Sequence, residues 1–332
     1  MRQRRSSIAF ILLALAFALS PASAKAQSRG QARPGPKEAP PVSITPVNVE
    51  RNLIYGMYSG FALLMDVHRP VKSNGYGIVF VAGSGWQAPL EYGATPLKET
   101  QVPLWGPALV AAGYTVFAVN HRAAPRFHYP AALEDVQRAV RFIRHHASVY
   151  GIDPDRLGGL GGSSGGHLIG LVSTLGAPGD PADPDPVNRE PATLQTVVLR
   201  APLVDLPKMA AVPAGLALVV SFLEVPPGDN VPTSKALYAQ ASPQTHVSAK
   251  TPPTLLMHGD ADDLVPYSQS VGFEAALRAA GVPTKLITVP GGKHGADFGF
   301  AQSKPGWLNY PAEAAKWFDQ YLKAPAVAAA AR

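Results

Sequence analysis

Three separated stretches carry the residue types needed to activate a hydroxyl. Gly162-Ser163-Ser164-Gly165-Gly166 fits the pattern G-x-S-x-G centred on Ser164. That pattern describes a sharp strand-to-helix turn which holds a serine hydroxyl outward, with glycines where backbone segments approach closely. The alternative is a flexible glycine-serine turn. A serine hydroxyl is a poor nucleophile until a base removes its proton. His294, in "ITVPGGKHG", supplies a base. Asp260, Asp262 and Asp263, in "PTLLMHGDADDLVP", supply acids that could hold the imidazole in the correct tautomer and stabilise its cation. The order Ser, acid, His, each after its own strand, is the order such a turn requires. Negative charge developing on a carbonyl oxygen needs amide donors. The amide of Gly165 and the loop "VAGSGWQ", with Gly83, Ser84 and Gly85, are placed to give them.

These residues need a scaffold that ends its strands on one side. Residues 61–70, 76–83, 114–120, 155–162, 196–202, 253–259 and 284–290 read as strands, several almost wholly apolar, as for strands covered on both faces. Residues 103–113, 130–151, 267–281 and 311–322, and a segment from about Ser164, read as helices. In 130–151, Leu133, Val136, Val140 and Ile143 share one face. The alternation predicts an α/β domain over 47–323, with a mostly parallel, doubly wound sheet between helices. Residues 203–250 are too long for a simple crossover. They read as a helical lid insertion over the strand ends, where such sheets bind ligands. The apolar run 214–223 reads as a helix covering the pocket, with a membrane-touching lid as the alternative.

The composition, 46% apolar and 16% charged, suits a large core. At the N-terminus, "MRQRR", the apolar "IAFILLALAFAL" and "SPASAKAQ" have the order of a secretory signal peptide, cleaved after Ala24 or Ala26. The expected location is therefore periplasmic or extracellular. Cleavage after Ala24 removes Arg2, Arg4 and Arg5 and lowers the formal net charge from +6 to +3, which weakens any case for a nucleic-acid partner. Residues 25–46 read as a Pro/Gly-rich linker and 324–332 as a flexible tail. The chain has no cysteine, which excludes a thiol nucleophile and thiolate metal sites.

The segments "LLMDVHRP", "VFVAGSGW", "NHRAAPRFHYPAALEDVQRAVRFIRHHASVYGIDPDRLGGLGGSSGGHL", "ASPQTHVSAKTPPTLLMHGDADDLVPYSQS" and "VPGGKHG" together resemble the secreted α/β-hydrolase carboxylesterases, a group that includes feruloyl, acetyl-xylan and lipase-like serine esterases. The resemblance runs from about Asn52 to Tyr321. It implies an α/β-hydrolase fold and a triad of Ser164, Asp262 and His294, with Asp262 in the aspartate place of H-G-x-x-D-x-x-V-P. The loop that reads H-G-G-G-W in the family is here Ala82-Gly83-Ser84-Gly85-Trp86, so the histidine that normally braces it is absent. Trp86 is expected to wall the substrate pocket or join the core.

His167 and His258 read as packing and hydrogen-bonding residues, and Arg122 with Asp135 as a brace between sheet and helix. His145 and His146 end a helix, where cations suit its dipole. The expected activity is ester hydrolysis through an acyl-enzyme. The alternatives are amide or formamide hydrolysis on the same triad, and a non-catalytic binding module. No cofactor, metal, nucleic acid or stable membrane insertion is expected.

Overall fold

The structure, a computed structural model, describes residues 48–225, 232–295, 297–298 and 309–323. The expected signal peptide, the linker up to residue 46 and the tail from 324 lie outside the described residues. One sheet of eight strands organises the domain: β1 (Asn48–Tyr58), β2 (Phe61–Arg69), β3 (Gly77–Val81), β4 (Thr115–Val119), β5 (Leu157–Gly162), β6 (Thr196–Arg200), β7 (Thr254–Gly259) and β8 (Thr284–Val289). Their order is β1-β2-β4-β3-β5-β6-β7-β8. β1 and β2 are antiparallel, and β2 is antiparallel to β4. Every pair from β4 to β8 is parallel. The seven expected strands all form. β1 has no counterpart among them, because "NVERNLIYGMY" is largely polar or exposed on this edge.

The helices are α1 (Leu97–Thr100), α2 (Val102–Ala111), α3 (Ala131–His145), α4 (Ala147–Tyr150), α5 (Ser164–Leu175), α6 (Leu206–Ala210), α7 (Pro213–Leu223), α8 (Pro232–Gln240), α9 (Ser268–Ala279) and α10 (Tyr310–Leu322). Neighbouring residues of a strand face opposite sides. Val79 and Val81 therefore join one core with Val136 and Val140 of α3 and Leu168 and Val172 of α5. Ile78 and Phe80 join a second core with Leu109 of α2 and Phe318 of α10. This double burial explains the unbroken apolar run in β3.

β5, "LGGLGG", has little intrinsic strand propensity. Its glycines are required by what packs on it. A Cβ on Gly158 would lie 2.8 Å from the Phe318 ring of α10, and one on Gly159 would lie 2.9 Å from Ile169 of α5. Helices on both faces thus press directly onto the central strand and fix the chain that leaves it at Ser163.

The segment between β6 and β7 carries α6, α7 and α8. Among the described residues, no helix is long and apolar enough to cross a membrane.

Candidate active site

The chain turns sharply where β5 meets α5, and Ser163 sits at the turn with φ 53° and ψ −124°. A non-glycine residue at positive φ is strained, by about 1–3 kcal/mol, and persists where its surroundings over-determine it. Here they do. Ser163 N donates to Arg200 O at 2.7 Å, and His167 N donates to Ser163 O at 2.9 Å. Glycines two before and two after Ser163 permit the crossing: a Cβ on Gly161 would lie 2.4 Å from Gly165 O, and one on Gly165 would lie 2.1 Å from Val81 O.

The structure corrects the expectation for Ser164. The turn's register is Gly161-Gly162-Ser163-Ser164-Gly165, one residue earlier than expected, and Ser163 takes its centre. Ser164 is already the first residue of α5, wholly buried, and its Oγ accepts a bond from Ser84 N at 2.9 Å. Both registers match G-x-S-x-G. The signal that separates them is where β5 ends, since the serine at the turn is the first residue after the strand.

Ser163 Oγ lies 2.9 Å from His294 Nε2, and His294 Nδ1 lies 2.8 Å from Asp262 Oδ2. An ionised carboxylate only accepts, so Nδ1 carries the imidazole proton and Nε2 offers its lone pair to the serine hydroxyl. Burial pushes the Asp262 carboxyl up. Bonds from His258 and His294, the electrostatic attraction of the His294 ring and the Val265 amide outweigh it and hold Asp262 well below the usual carboxylate range. Leu264 N and Val265 N both donate to Asp262 Oδ1, at 3.0 and 2.8 Å. Asp260 Oδ1 instead accepts from Gly291 N at 2.6 Å, and Asp263 pairs with Lys293 at 3.6 Å. His258 is buried between Ser270, at 2.7 Å, and Val265 O, at 3.0 Å, with Asp262 3.2 Å away. Its place is a brace for the acid loop.

The expected anion donors are partly corrected. With Ser163 at the turn, the following amide is that of Ser164, not Gly165. Ser164 N begins a helix and has no acceptor within it. Gly83 is committed elsewhere: its N–H donates to Gln101 Oε1 and its carbonyl accepts from Gln101 Nε2, both at 3.2 Å. This two-point clamp braces the loop that Ala82 leaves without its histidine. Gln101 was not singled out in the sequence, since only folding brings the α1–α2 junction beneath the β3 loop. Ser84 stays beside the turn through its bond to Ser164, and its own Oγ is buried with no partner among the described residues.

Trp86 is fully buried and belongs to the core rather than to an open pocket wall. Its ring stacks on Phe222 of α7, with centroids 4.3 Å apart and planes 13° from parallel. Its Nε1 donates to His167 Nδ1 at 3.1 Å, and His167 Nε2 donates to Ala241 O at 2.7 Å. Burial pulls the His167 imidazole down to about 4, against the bond to Ala241, and keeps it neutral as these roles demand. His167 thus joins the turn helix, the β3 loop and the α6–α8 segment.

Arg122 and Asp135 form the buried pair expected of them, with Arg122 Nε 2.9 Å from Asp135 Oδ1. Among the described residues, no group of three or more His, Cys, Asp or Glu is arranged to hold a metal. A cavity of about 260 Å³ opens between residues 88–97 and 120–127, the segments that follow β3 and β4. A cavity of about 570 Å³ lies against β1 and α3, and neither cavity is lined by Ser163, His294 or Asp262.

The BD-FAE family model matches residues 65–277, more than half of the chain, and the chain belongs to that family. Its architecture is the α/β-hydrolase fold. Among curated proteins it is 33% identical to the probable carboxylic ester hydrolase LipM of Mycobacterium tuberculosis, over 57% of this chain and 43% of that protein. It is 27% identical to the ethyl acetate hydrolase of Pseudomonas putida, over 71% of each. The matches to LipM and to the esterase LipQ of the same organism span less than half of those proteins' lengths. Among solved structures, an acetyl ester-xyloside bifunctional hydrolase from Caldicellulosiruptor lactoaceticus superposes with a TM-score of 0.68 at 28% identity, covering 81% of this chain and 95% of that one.

Proposed function

We propose that the chain is a serine hydrolase of carboxylic esters that works through an acyl-enzyme. The observation that carries this reading is the 2.9 Å approach of Ser163 Oγ to His294 Nε2, with Asp262 on the far side of the imidazole. Ser163 attacks the ester carbonyl while His294 takes its proton. The resulting imidazolium, stabilised by Asp262, returns the proton to the departing alcohol. Water activated by His294 then releases the acid and restores Ser163. The Ser164 amide and the Ser84 hydroxyl, which has no partner among the described residues, receive the negative charge on the carbonyl oxygen.

The names of the relatives support an ester as the bond cleaved, since they include an ethyl acetate hydrolase and an acetyl ester-xyloside bifunctional hydrolase. We read the α6–α8 segment, whose Phe222 stacks on Trp86 of the β3 loop, as a lid over the strand ends. Export through the N-terminal signal remains part of the same reading.

Purified protein assayed on 4-nitrophenyl acetate and butyrate, acetylated xylan, N-formylkynurenine and aminoacyl amides tests this function. Turnover of the esters, with the amides and formamide left intact, is expected. Preferential cleavage of N-formylkynurenine or the amides would overturn it.

A further inference from the structure

We propose that Arg200 is a positioning residue that holds the serine and the histidine of this site in register with each other. The inference rests on Ser163 and His294 as the reacting pair.

Arg200 ends β6, beside β5, where it is paired with Gly162. Its backbone carbonyl accepts the amide of Ser163 at 2.7 Å, which fixes the strained turn. Its side chain is only 2% exposed and runs beneath that turn. A Cβ on Gly162 would meet both Nε and Nη2 at 2.8 Å, so the guanidinium passes through space that only glycine leaves open. The far end of the side chain reaches the loop after β8. There Nη1 donates to His294 O at 2.7 Å and to Gly295 O at 3.2 Å. Phe298 of the same loop lies under the guanidinium, 5.9 Å from Cζ to the ring centroid.

One residue therefore bonds the nucleophile's main chain with its carbonyl and the base's main chain with its side chain. Burying a cation at a strand end is costly, and an aliphatic residue would fill a core without that cost. Burial pulls the guanidinium down to about 10, opposed by the Asp262 and Asp297 carboxylates, so it stays charged at neutral pH. Its charge-assisted bonds to two carbonyls are stronger than neutral ones. They restrain the main chain that carries the imidazole. Proton transfer depends on that placement, and a displacement of 1 Å can cost on the order of 100-fold in rate.

The experiment compares wild type, Ser163→Ala, Arg200→Lys, Arg200→Met and Arg200→Ala on 4-nitrophenyl acetate, with thermal melts of each. Wild-type turnover and its loss in Ser163→Ala establish the underlying reading independently of Arg200. Arg200→Met is expected to lower kcat by about 10–100-fold with KM within about twofold. Arg200→Lys keeps the cation but not the fork, and should fall between Met and wild type. Millimolar guanidinium should restore part of the kcat of Arg200→Ala and none of Ser163→Ala. A kcat within twofold of wild type in Arg200→Met overturns the proposal. So does a loss that follows the folded fraction and is not rescued by guanidinium. If the Met and Ala variants do not fold, Arg200→Lys decides alone: a lower kcat at unchanged KM supports the role, and an unchanged kcat contradicts it.

Discussion

Ser84 N donates to Ser164 Oγ across the gap between the β3 loop and the start of α5, at 2.9 Å. The second serine of the pair thus faces the β3 loop, while the first faces His294. Replacing Ser164 by Ala removes this tie but leaves the nucleophile. We expect Ser164→Ala to retain ester hydrolysis with kcat reduced by about 10-fold, the cost of one loosened hydrogen bond near the reacting oxygen. Steady-state kinetics on 4-nitrophenyl acetate check this. Complete loss of activity would give Ser164 a larger part than a tie.

Gln101 holds the same loop from behind. Gln101→Leu leaves both the amide and the carbonyl of Gly83 without their partner. The expected loss of stability is about 1–3 kcal/mol, read from urea unfolding. The loop it frees carries Ser84, the anion donor proposed above, so kcat should fall by about 10–100-fold while KM changes less. A variant with wild-type kcat would show that Ala82 needs no replacement brace.

Asp262 fixes the imidazole tautomer. Asp262→Asn should lower kcat by about 10³–10⁴-fold with little change in KM, because the amide favours the wrong tautomer and removes the charge opposite the imidazolium. Asp263→Asn, which alters only an outlying pair with Lys293, should leave kcat within about twofold. The two variants side by side separate the acid that matters from its neighbour.

His167 links stability to pH. Its folded value of about 4 lies below the 6.5 of a free imidazole, so between those values the unfolded chain binds the extra proton. Stability is therefore fully present above about pH 6.5 and is lost as pH falls towards 4. From pH 7 to pH 5 the share of His167 is about 2 kcal/mol. Burial also lowers His68 and His121, which act in the same direction. Urea unfolding at both pH values should show the decline, and His167→Gln should reduce it. An unchanged pH slope in that variant would contradict the neutral, buried role of His167.

The layered sheet and an acid loop after β7 for His294 were legible in the sequence for physical reasons, while only the family resemblance singled out Asp262 from Asp260 and Asp263. Doubly covered strands such as β3 must be apolar throughout, and a base and its acid must follow strands that end on the same edge. β1 was not legible because an edge strand with Glu50, Arg51 and exposed Ile54 carries no burial pattern. The choice between Ser163 and Ser164 also failed. In a run of six residues with glycine on both sides, two registers satisfy the motif; the expected strand end at 162 pointed to Ser163 but was not weighed against the motif, and φ 53° at Ser163 marks the turn. Gln101 and Arg200 carry no motif at all. They matter because the α1–α2 junction and the end of β6 converge on Gly162, a meeting that linear order does not record.

The identity of the nucleophile is tested most directly by a fluorophosphonate, which bonds only an activated serine oxygen, followed by intact-mass measurement of wild type, Ser163→Ala and Ser164→Ala. One adduct on wild type and on Ser164→Ala, with none on Ser163→Ala, is the predicted result. An adduct on Ser163→Ala that is missing from Ser164→Ala would contradict it and return the nucleophile to the second serine.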